Sequence, residues 1–533
     1  MERRKFIQTG SVAIAGTLMS NSLLASGNKA QGGFEIAPDW KNPGTPLKHT
    51  WEGLGNIDQM RWMTRKDCLE HLELAYNELN MRHVRAVGIH HDDLFPIDID
   101  PKDCMDVPEE DRIPRNNWQV IDYIFDSLAD IGMHPMYTTA FTPSVMATTD
   151  QSVFRTKCNV SPPKSYKEWA EYIVATLEHF KYRYGKQRMD QWYYEVWNEP
   201  NLTAFYGGDQ AEFFKLWKTT YDAIKSVDKD WPIGGPSTAR AEWIDDFLKF
   251  SKKNDCKPEY IIAHCYNNDS EWAALSPFDG LQEDRTNKSP NFMPGVANGV
   301  EKLLEEHNFK GEVHWNEWGR SWFPFDEMRE TANEAAFLVK SMAEVHDKAT
   351  YYAYWCLNDI YNQAGYGAET FHGNYGLLNL QGLKKPSYFA FELLGKMGDT
   401  VVPHSGNNID RVNNAFVSKS KNGFQTCLYS FDNEYEVGGS SQMKPVKVLL
   451  PEGASASNIN IYEVSKSSNN IIEDWKKEGS PAYLKYGEKE EWRKKNKIVK
   501  STQRINIETT NNQQWLNFGL ETPGIAFIDI KKK

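Results

Sequence analysis

The feature that most constrains the fold of this chain is a regular alternation of strand-like and helix-like segments between about residues 47 and 397. Short runs rich in aromatic and β-branched residues predict strands, and longer stretches with apolar residues at helical spacing predict helices between them. Such an alternation is typical of parallel βα folds. The predicted strands are Leu47 to Leu54, His83 to Ile89, His134 to Phe141, Trp192 to Trp197, Trp231 to Gly235, Tyr260 to Cys265, Glu312 to Asn316 and Tyr351 to Leu357.

Eight βα units in succession favour a closed barrel over an open sheet. We therefore predict an α/β fold in which residues 31–400 form a (β/α)8, or TIM, barrel. In such barrels the loops that follow the strands carry the chemistry. The helices between the strands are predicted at Asp67 to Leu79, Asn117 to Ile131, Tyr166 to Tyr184, Ala211 to Val227 and Glu334 to Val345.

Beyond Asp399 the pattern changes to short alternating strands separated by Gly, Asn and Ser turns. This pattern predicts a C-terminal all-β sandwich over residues 401–533, which we interpret as an accessory domain packed on the barrel. A basic cluster from Arg493 to Lys500 is interpreted as a solvated hairpin. The predicted strands include Ala415 to Ser418, Gln425 to Ser430, Val446 to Leu450, Ile459 to Val464 and Ala526 to Ile530.

The first 30 residues have the order of an export signal, with a basic start, an apolar run from Val12 to Met19 and then small polar residues. The pair Arg3-Arg4 ahead of Phe6 resembles the twin-arginine variant of such signals. We therefore expect residues 1–30 to lie outside the fold and the protein to be periplasmic or secreted. The alternative is a short disordered basic tail.

The composition of the chain argues against some classes of binding partner. The chain has 61 basic and 73 acidic side chains, so it lacks the basic footprint of a nucleic-acid binder. The sequence contains no run of 18 apolar residues, the length that would predict a membrane-spanning helix. The seven cysteines are scattered without CxxC spacing, which indicates neither a zinc site nor a disulfide framework. We predict no metal and no organic cofactor, and the sequence leaves the oligomeric state open.

Two carboxylates stand out at the ends of predicted strands. The fourth strand stops at Asn198-Glu199-Pro200, and the seventh stops at Asn316-Glu317. In an eight-stranded barrel both side chains would reach the same mouth, although 118 positions separate them in sequence. Glycoside hydrolysis needs two such carboxyl groups, one on each side of the scissile bond. Glu199 and Glu317 are therefore the candidate catalytic pair.

The segment Glu195-Val-Trp-Asn-Glu-Pro-Asn-Leu202 resembles the acid/base segment of glycoside hydrolase family 39, which includes β-xylosidases and α-L-iduronidases. The resemblance extends from about Trp51 to Asp399, roughly two-thirds of the chain. Taken together its motifs are specific. The other landmarks are Val84-Arg85-Ala86-Val87-Gly88, Arg183-Tyr184-Gly185, Gly234-Gly235-Pro236, His264-Cys265-Tyr266, Asn316-Glu317-Trp318, Tyr354-Trp355 to Asp359, and Phe371-His372-Gly373 to Pro386.

The resemblance implies a role for each matching residue. Glu199 looks like the general acid/base and Glu317 like the nucleophile of a retaining mechanism, with their carboxyl groups about 5 to 5.5 Å apart. Asn198 resembles the amide that holds the sugar 2-hydroxyl. The further candidate substrate-binding residues are His264 and Tyr266, which resemble the family's His-x-Tyr, Trp355 as a sugar platform, and Asp359 as a hydroxyl ligand.

Two departures from the β-xylosidase pattern bear on the substrate. Val87 stands where those enzymes usually carry a sugar-contacting histidine. His90, His91 and Asp92 follow closely as candidates to reach the site instead, and we predict His91 as the substrate-binding residue among them. Asn362-Gln363 stands where an acidic pair is usual. The favoured function is a β-xylosidase-like exo-glycosidase. The alternatives are a relative that acts on a uronosyl, arabinosyl or glucosyl unit, and an inactive carbohydrate-binding protein on the same barrel.

Overall fold

The computed structural model describes residues 32–99, 107–108, 111, 113–269, 290–365, 367 and 369–532. The predicted export signal therefore lies outside the described residues. No helix in the described ranges is both long and apolar enough to span a bilayer. The six cysteines in these ranges are buried and unpaired.

An eight-stranded parallel sheet forms the predicted barrel, with the strands neighbouring one another in chain order. The segments around strands 8 and 1 meet through hydrogen bonds. Tyr352 N donates to Thr50 O at 2.7 Å and Leu357 N donates to Asn56 O at 2.8 Å. The Asn56 side chain donates to Ala353 O of strand 8 at 3.1 Å. These contacts bring the sheet round to its own first strand. Barrel strands 1 to 8 are Gly53–Gln59, Met81–Val87, His134–Thr138, Tyr193–Glu195, Ile233–Thr238, Tyr260–Tyr266, Glu312–Gly319 and Tyr351–Tyr354.

Strand 1 begins later than the sequence predicted. Residues 47–52 form tight turns instead, with Thr50 N bonded to Lys48 O and Glu52 N bonded to His49 O, each at 2.9 Å. The aromatic and apolar side chains that made this run look like a strand are buried by packing around the turns. The shift places Asp58, which the sequence analysis put beyond the strand, within its carboxyl end.

The helices surround the barrel and are set by ordinary capping signals. Ser165 and Asp209 accept backbone N–H bonds at the starts of Tyr166–Tyr184 and Gln210–Val227, and Gly132 ends Gln119–Ile131 at a φ of 94°. All five predicted helices are present. The helices of the barrel are Lys66–Glu78, Gln119–Ile131, Tyr166–Tyr184, Lys186–Met189, Gln210–Val227, Ile244–Lys253, Phe292–Glu306, Ala332–Val345 and Pro386–Leu394.

Two further sheets pack through an apolar layer to form the predicted β-sandwich. Inward-facing side chains alternate with exposed ones along their strands, as in Gln442–Leu449. One sheet contains, in spatial order, His404–Ser405, Phe34–Pro38, Gln442–Leu449, Gln513–Thr522 and Asn506–Thr510. The other contains Thr45–Pro46, Thr400–Val401, Asn413–Ser420, Gly423–Ser430, Gly524–Lys531 and Ile459–Val464.

The sandwich includes an N-terminal segment that the sequence analysis assigned to the barrel. Phe34–Pro38 pairs in parallel with Gln442–Leu449, so the predicted boundaries of 31–400 and 401–533 do not divide the two domains. The physical reason is the alternation of the strand, which buries Phe34 and Ile36 in the sandwich core. The barrel is therefore an insertion between the first strands of the sandwich and the rest of it.

The hairpin predicted for the basic cluster was wrong, because Glu488–Lys495 is a helix. It follows a second short helix, Ile471–Lys477, and each buries one tryptophan in a common apolar cluster with Phe371 and Leu383 of the barrel. The charged side chains of the cluster thus surround a packed apolar contact. These two helices fasten the C-terminal domain to the loop that follows barrel strand 8.

Candidate active site

Glu199 is held in a turn that follows barrel strand 4. Its φ is 46°, and Trp197 in the same turn has a φ of 72°, so two non-glycine residues adopt the left-handed region. The turn is fastened by Glu199 N, which donates to Ser237 O at 2.8 Å. Asn201 adds two 3.0 Å bonds to the backbone of Ala239. The loops after strands 4 and 5 therefore hold the Glu199 carboxyl in place together.

Glu317 projects from barrel strand 7 and is buried among donors. Tyr266, at the end of strand 6, donates its hydroxyl to Glu317 Oε1 at 2.7 Å. Arg85, from strand 2, donates from Nη1 to Glu317 Oε2 at 3.1 Å. Three strands thus converge on one carboxylate. The donors favour its charged form and aim it into the barrel mouth.

The carboxyl groups of Glu199 and Glu317 lie close together at the barrel mouth. One oxygen of Glu199, one oxygen of Glu317 and a ring nitrogen of His264 all lie within 4.8 Å of one another. Carboxyl groups about 5 to 5.5 Å apart suit a nucleophile and its acid/base partner, whereas inverting enzymes need about 6.5 to 9.5 Å to admit water. The close approach therefore fits a retaining mechanism.

His264 lies between the two carboxyl groups. Its Nδ1 is 3.0 Å from Glu199 Oε1 and 3.6 Å from Glu317 Oε2. Burial lowers the pKa of the imidazole, but the charge of Glu317 and the bond to Glu199 outweigh it, so the pKa is raised. The His264 ring therefore interacts with both carboxyl groups, that of Glu199 and that of Glu317.

The two carboxyl groups have different hydrogen-bond partners. Burial raises the pKa of Glu317, and the charge of Glu199 raises it further. Of the two carboxyl groups, Glu317 is the one that accepts from Arg85 and Tyr266, whereas Glu199 bonds to His264. The donors around Glu317 favour its charged form, which is the form that a nucleophile needs.

Beneath this pair lies a buried polar layer that the sequence analysis did not assign to the site. Arg85 donates to both oxygens of Glu195, at 2.8 and 3.2 Å. Glu195 also accepts from Thr138 at 2.6 Å, Ser237 at 2.7 Å and Asn316 at 2.7 Å. Burial disfavours the charged carboxylate, but Arg85 and these donors lower its pKa overall. A charged residue inside an otherwise apolar parallel strand is the sequence signal that would have found them.

Asn198 is oriented by the same layer. Arg85 Nη2 donates to Asn198 Oδ1 at 2.6 Å, which leaves the amide N–H groups of Asn198 to face away from the guanidinium. This orientation suits an amide that donates to a sugar hydroxyl beside Glu317. The predicted contact with the 2-hydroxyl stays a prediction.

Trp355 lies beside Tyr266, which donates a hydrogen bond to Glu317. It packs in an aromatic cluster with Tyr266, Tyr361 and Tyr375 at the end of strand 8. Its backbone N–H donates to Trp318 O at 3.0 Å, next to Glu317 in sequence. The structure therefore brings Trp355 to the barrel mouth, where a sugar platform would be needed.

Asp359 is engaged by neighbouring groups of the protein, and its predicted sugar contact stays a prediction. One of its oxygens lies 2.8 Å from Lys385 Nζ, and the other accepts from Gly376 N at 2.7 Å. Both oxygens are buried and engaged, so the carboxylate fastens the loop after strand 8. Sequence position alone could not separate these roles, because Asp359 follows a strand end as closely as a ligand would.

His91 lies in the loop after strand 2 and bonds to a neighbouring loop residue. His91 Nε2 is 2.9 Å from Thr156 O, and the Thr156 hydroxyl donates to Gln59 Oε1 at 3.1 Å. His91 therefore supports the rim beside strand 1. Its predicted contact with substrate stays a prediction.

Asp58, at the end of strand 1, is a further buried acid that the sequence analysis missed. Its carboxylate accepts from Trp62 Nε1 at 2.9 Å, from Gln363 Nε2 at 2.5 Å and from Asn362 N at 3.3 Å. Burial raises its pKa to about 6, and the charge of Glu317 contributes. The amides of Asn362-Gln363 thus surround a carboxylate, so this sector of the mouth keeps an acidic group.

Tyr266 provides a test of the electrostatics. Its hydroxyl lowers the pKa of Glu317, so Tyr266→Phe should raise that pKa further. A carboxyl group that serves as nucleophile must be ionised, so with Glu317 in that predicted role the acidic limb of the kcat/KM profile should move to higher pH. Tyr352→Phe is the control, since the Tyr352 hydroxyl has no hydrogen-bond partner among the described residues. An acidic limb at the same pH in Tyr266→Phe and in the wild type would contradict this role of Tyr266.

Comparisons with known proteins agree with this geometry. The family model described as glycosyl hydrolases family 39 matches residues 35–513. A β-xylosidase of Caldicellulosiruptor saccharolyticus is 31% identical over 479 residues, which cover 88% of this chain and 92% of that protein. A β-xylosidase of Geobacillus stearothermophilus is 29% identical over 445 residues, 82% and 84% of the two chains. The crystal structure of a monomeric β-xylosidase from Caulobacter crescentus CB15 superposes with a TM-score of 0.76 at 25% identity, covering 93% of this chain and 99% of that one.

Proposed function

The chain belongs to the glycosyl hydrolases of family 39, and from this premise we propose that it acts as a β-xylosidase-like exo-glycosidase with a broadened glycone pocket. The observation that carries the proposal is the close approach of the Glu199 and Glu317 carboxyl groups over Arg85 and His264. Two relatives with β-xylosidase names support the xylosyl preference.

The first step of the proposed reaction is glycosyl transfer to the enzyme. The Glu317 carboxylate attacks the anomeric carbon while the bond to the leaving oxygen breaks, and Glu199 gives its proton to that oxygen. Arg85 and Tyr266 hold the Glu317 carboxylate in line before the attack. A bond from Asn198 to the 2-hydroxyl strengthens as the oxocarbenium-like transition state forms.

The second step returns the enzyme to its starting state. Glu199, now ionised, takes a proton from water, and the resulting hydroxide oxygen displaces Glu317 from the anomeric carbon. His264 is 3.0 Å from Glu199, so it stabilises the charge that Glu199 carries between the steps. Two inversions at one carbon give net retention of configuration. Product stereochemistry, followed by proton NMR, tests this: an inverted first product would contradict it.

The glycone preference rests on the sector that contains Asp58, Asn362 and Gln363. With amides at the two latter positions, the pocket carries less negative charge than an acidic pair would give. This lowers the electrostatic penalty for binding a carboxylated glycone. We expect hexosyl, arabinosyl or uronosyl substrates to compete with the β-xyloside within about two orders of magnitude in kcat/KM. A β-xyloside advantage above about 10⁴ over all of them would contradict this breadth.

A charge-restoring variant sharpens the test. Gln363→Glu places a second carboxylate beside Asp58, so it should penalise uronosides more than xylosides. Gln187→Glu, on the exposed outer surface of the barrel, is the control for net charge. A shift of the xyloside-to-uronoside ratio in both variants, or in neither, would show that Gln363 does not set the preference.

A further inference from the structure

The loop after barrel strand 7 presents an unusual pair of exposed rings. Trp322 is 46% exposed and Phe323 is 55% exposed, and their rings stack with centroids 4.2 Å apart and an interplanar angle of 24°. Adjacent large aromatic side chains left open to water are the kind of patch that marks a binding surface. Stacking covers one face of each ring and leaves the outer faces free.

This aromatic pair is held in place by polar contacts from neighbouring loops. Asn268, in the loop after strand 6, accepts from Trp322 N at 3.0 Å and donates to the Ser321 hydroxyl at 3.1 Å. The Trp322 carbonyl accepts from the Tyr375 hydroxyl, in the loop after strand 8. Arg329, which is buried, donates to the Ser321 carbonyl and stacks on Tyr375 at 4.1 Å. Three loops therefore fix the position of the pair before any ligand arrives.

The same contacts connect the aromatic pair to the catalytic centre. Tyr375 packs in one cluster with Tyr266 and Trp355, and Tyr266 donates to Glu317. Two side chains thus separate Trp322 from the nucleophile. The pair stands on the rim of the catalytic mouth, between the loops of strands 6, 7 and 8.

A polar sector around Asp58 indicates where the terminal sugar binds. Gln59 and Gln363 each donate to Asp58, Gln59 also donates to Asn362, and all of these but Gln363 are buried. A closed polar sector of this kind suits a terminal sugar, because its hydroxyls need fixed partners. The rest of the substrate then needs an exposed part of the rim, and the exposed aromatic pair offers one.

We propose that Trp322 and Phe323 form a binding site for a sugar ring of the leaving group, so that the enzyme favours β-linked oligosaccharides over glycosides with a short aglycone. This inference rests on the proposed exo-glycosidase function. The carbon-bound hydrogens of a pyranose form an apolar face, and a flat ring fixed in advance offers it contact at little cost in conformational entropy. The contact lies away from the reacting bond and therefore acts on substrate binding.

The test compares two substrates that share a glycone. Trp322→Ala is expected to lower kcat/KM for β-1,4-xylotetraose by about 10- to 100-fold, mainly through KM, while 4-nitrophenyl β-xyloside is affected less than about twofold. Trp322→Tyr keeps a flat ring and should recover most of the loss. Tyr182→Ala removes an exposed ring from the outer helix Tyr166–Tyr184 and should leave kcat/KM for both substrates unchanged.

A binding measurement separates this inference from the proposed function. In the Glu317→Gln background, calorimetry should give weaker binding of xylotetraose when Trp322→Ala is added, and unchanged binding of xylose. Failure of the wild type to hydrolyse either substrate would reject the proposed β-xylosidase activity. Equal effects of Trp322→Ala on both substrates, or unchanged xylotetraose binding, would reject the aromatic site. A smaller mass of the particle in solution for Trp322→Ala than for the wild type would show instead that the aromatic pair joins two copies of the chain. That result would also reject the aromatic site.

Discussion

Replacing Glu317 with glycine is expected to lower turnover of every glycoside by roughly 10⁴- to 10⁶-fold, because the covalent step loses its nucleophile. The side chain is buried beside Arg85 and Tyr266, so its removal leaves an anion-sized space lined by two donors. Azide should enter that space and restore part of the activity. Because azide attacks from the nucleophile's side, its glycosyl product should have inverted configuration.

Glu317→Gln is the matched control for this experiment. It removes the charge but keeps the volume, so it should be as inactive as the glycine variant and should not respond to azide. Measurement of the azide-dependent rate and the anomeric configuration of the product decides the outcome. Rescue of both variants, or a retained product from the glycine variant, would remove Glu317 from the nucleophile's role.

Replacing Glu199 with alanine is expected to have an effect that depends on the leaving group. Ordinary sugar leaving groups need a proton from Glu199, so their hydrolysis should slow by roughly 10²- to 10⁴-fold. A dinitrophenyl leaving group needs no proton, so its first step should remain close to the wild-type rate. The second step still lacks its base, and a rapid burst of phenol followed by a slow steady state should therefore appear.

The two substrates serve as controls for each other within a single variant. Stopped-flow measurement of the burst, with the variant's thermal midpoint recorded alongside, separates a lost proton donor from a lost fold. Equal losses on the dinitrophenyl and sugar substrates would mean that Glu199 is not the acid. Because His264 bonds to Glu199, His264→Phe should reproduce part of the leaving-group dependence and none of the azide rescue.

Most of the barrel could be predicted from the sequence because buried parallel strands are short apolar runs with clear boundaries. Seven of the eight predicted strands each cover at least half of an observed strand. The exception, Leu47 to Leu54, failed because turns can bury aromatic residues as well as a strand does. That error concealed Asp58, since a residue is recognised as a site candidate only when its strand end is placed correctly.

The meeting of Glu199 and Glu317 could also be predicted, since both acids follow strand ends that the barrel brings together. The layer beneath them could not be predicted in the same way. Arg85 and Glu195 lie inside strands, and only the closed barrel makes them partners across 110 positions of sequence. Asp359 shows the converse, because it follows a strand as a ligand would but is engaged by Lys385.

The strand Phe34–Pro38 sets a condition on how the molecule is made. Its parallel partner, Gln442–Leu449, emerges roughly 400 residues later, which at ribosomal speed is about 20 to 80 s. During that interval the whole barrel can fold while the first strand waits without its sheet, with Phe34 and Ile36 uncovered. Completion of the sandwich therefore has to wait for Gln442–Leu449, and by then all eight strands of the barrel have been synthesised.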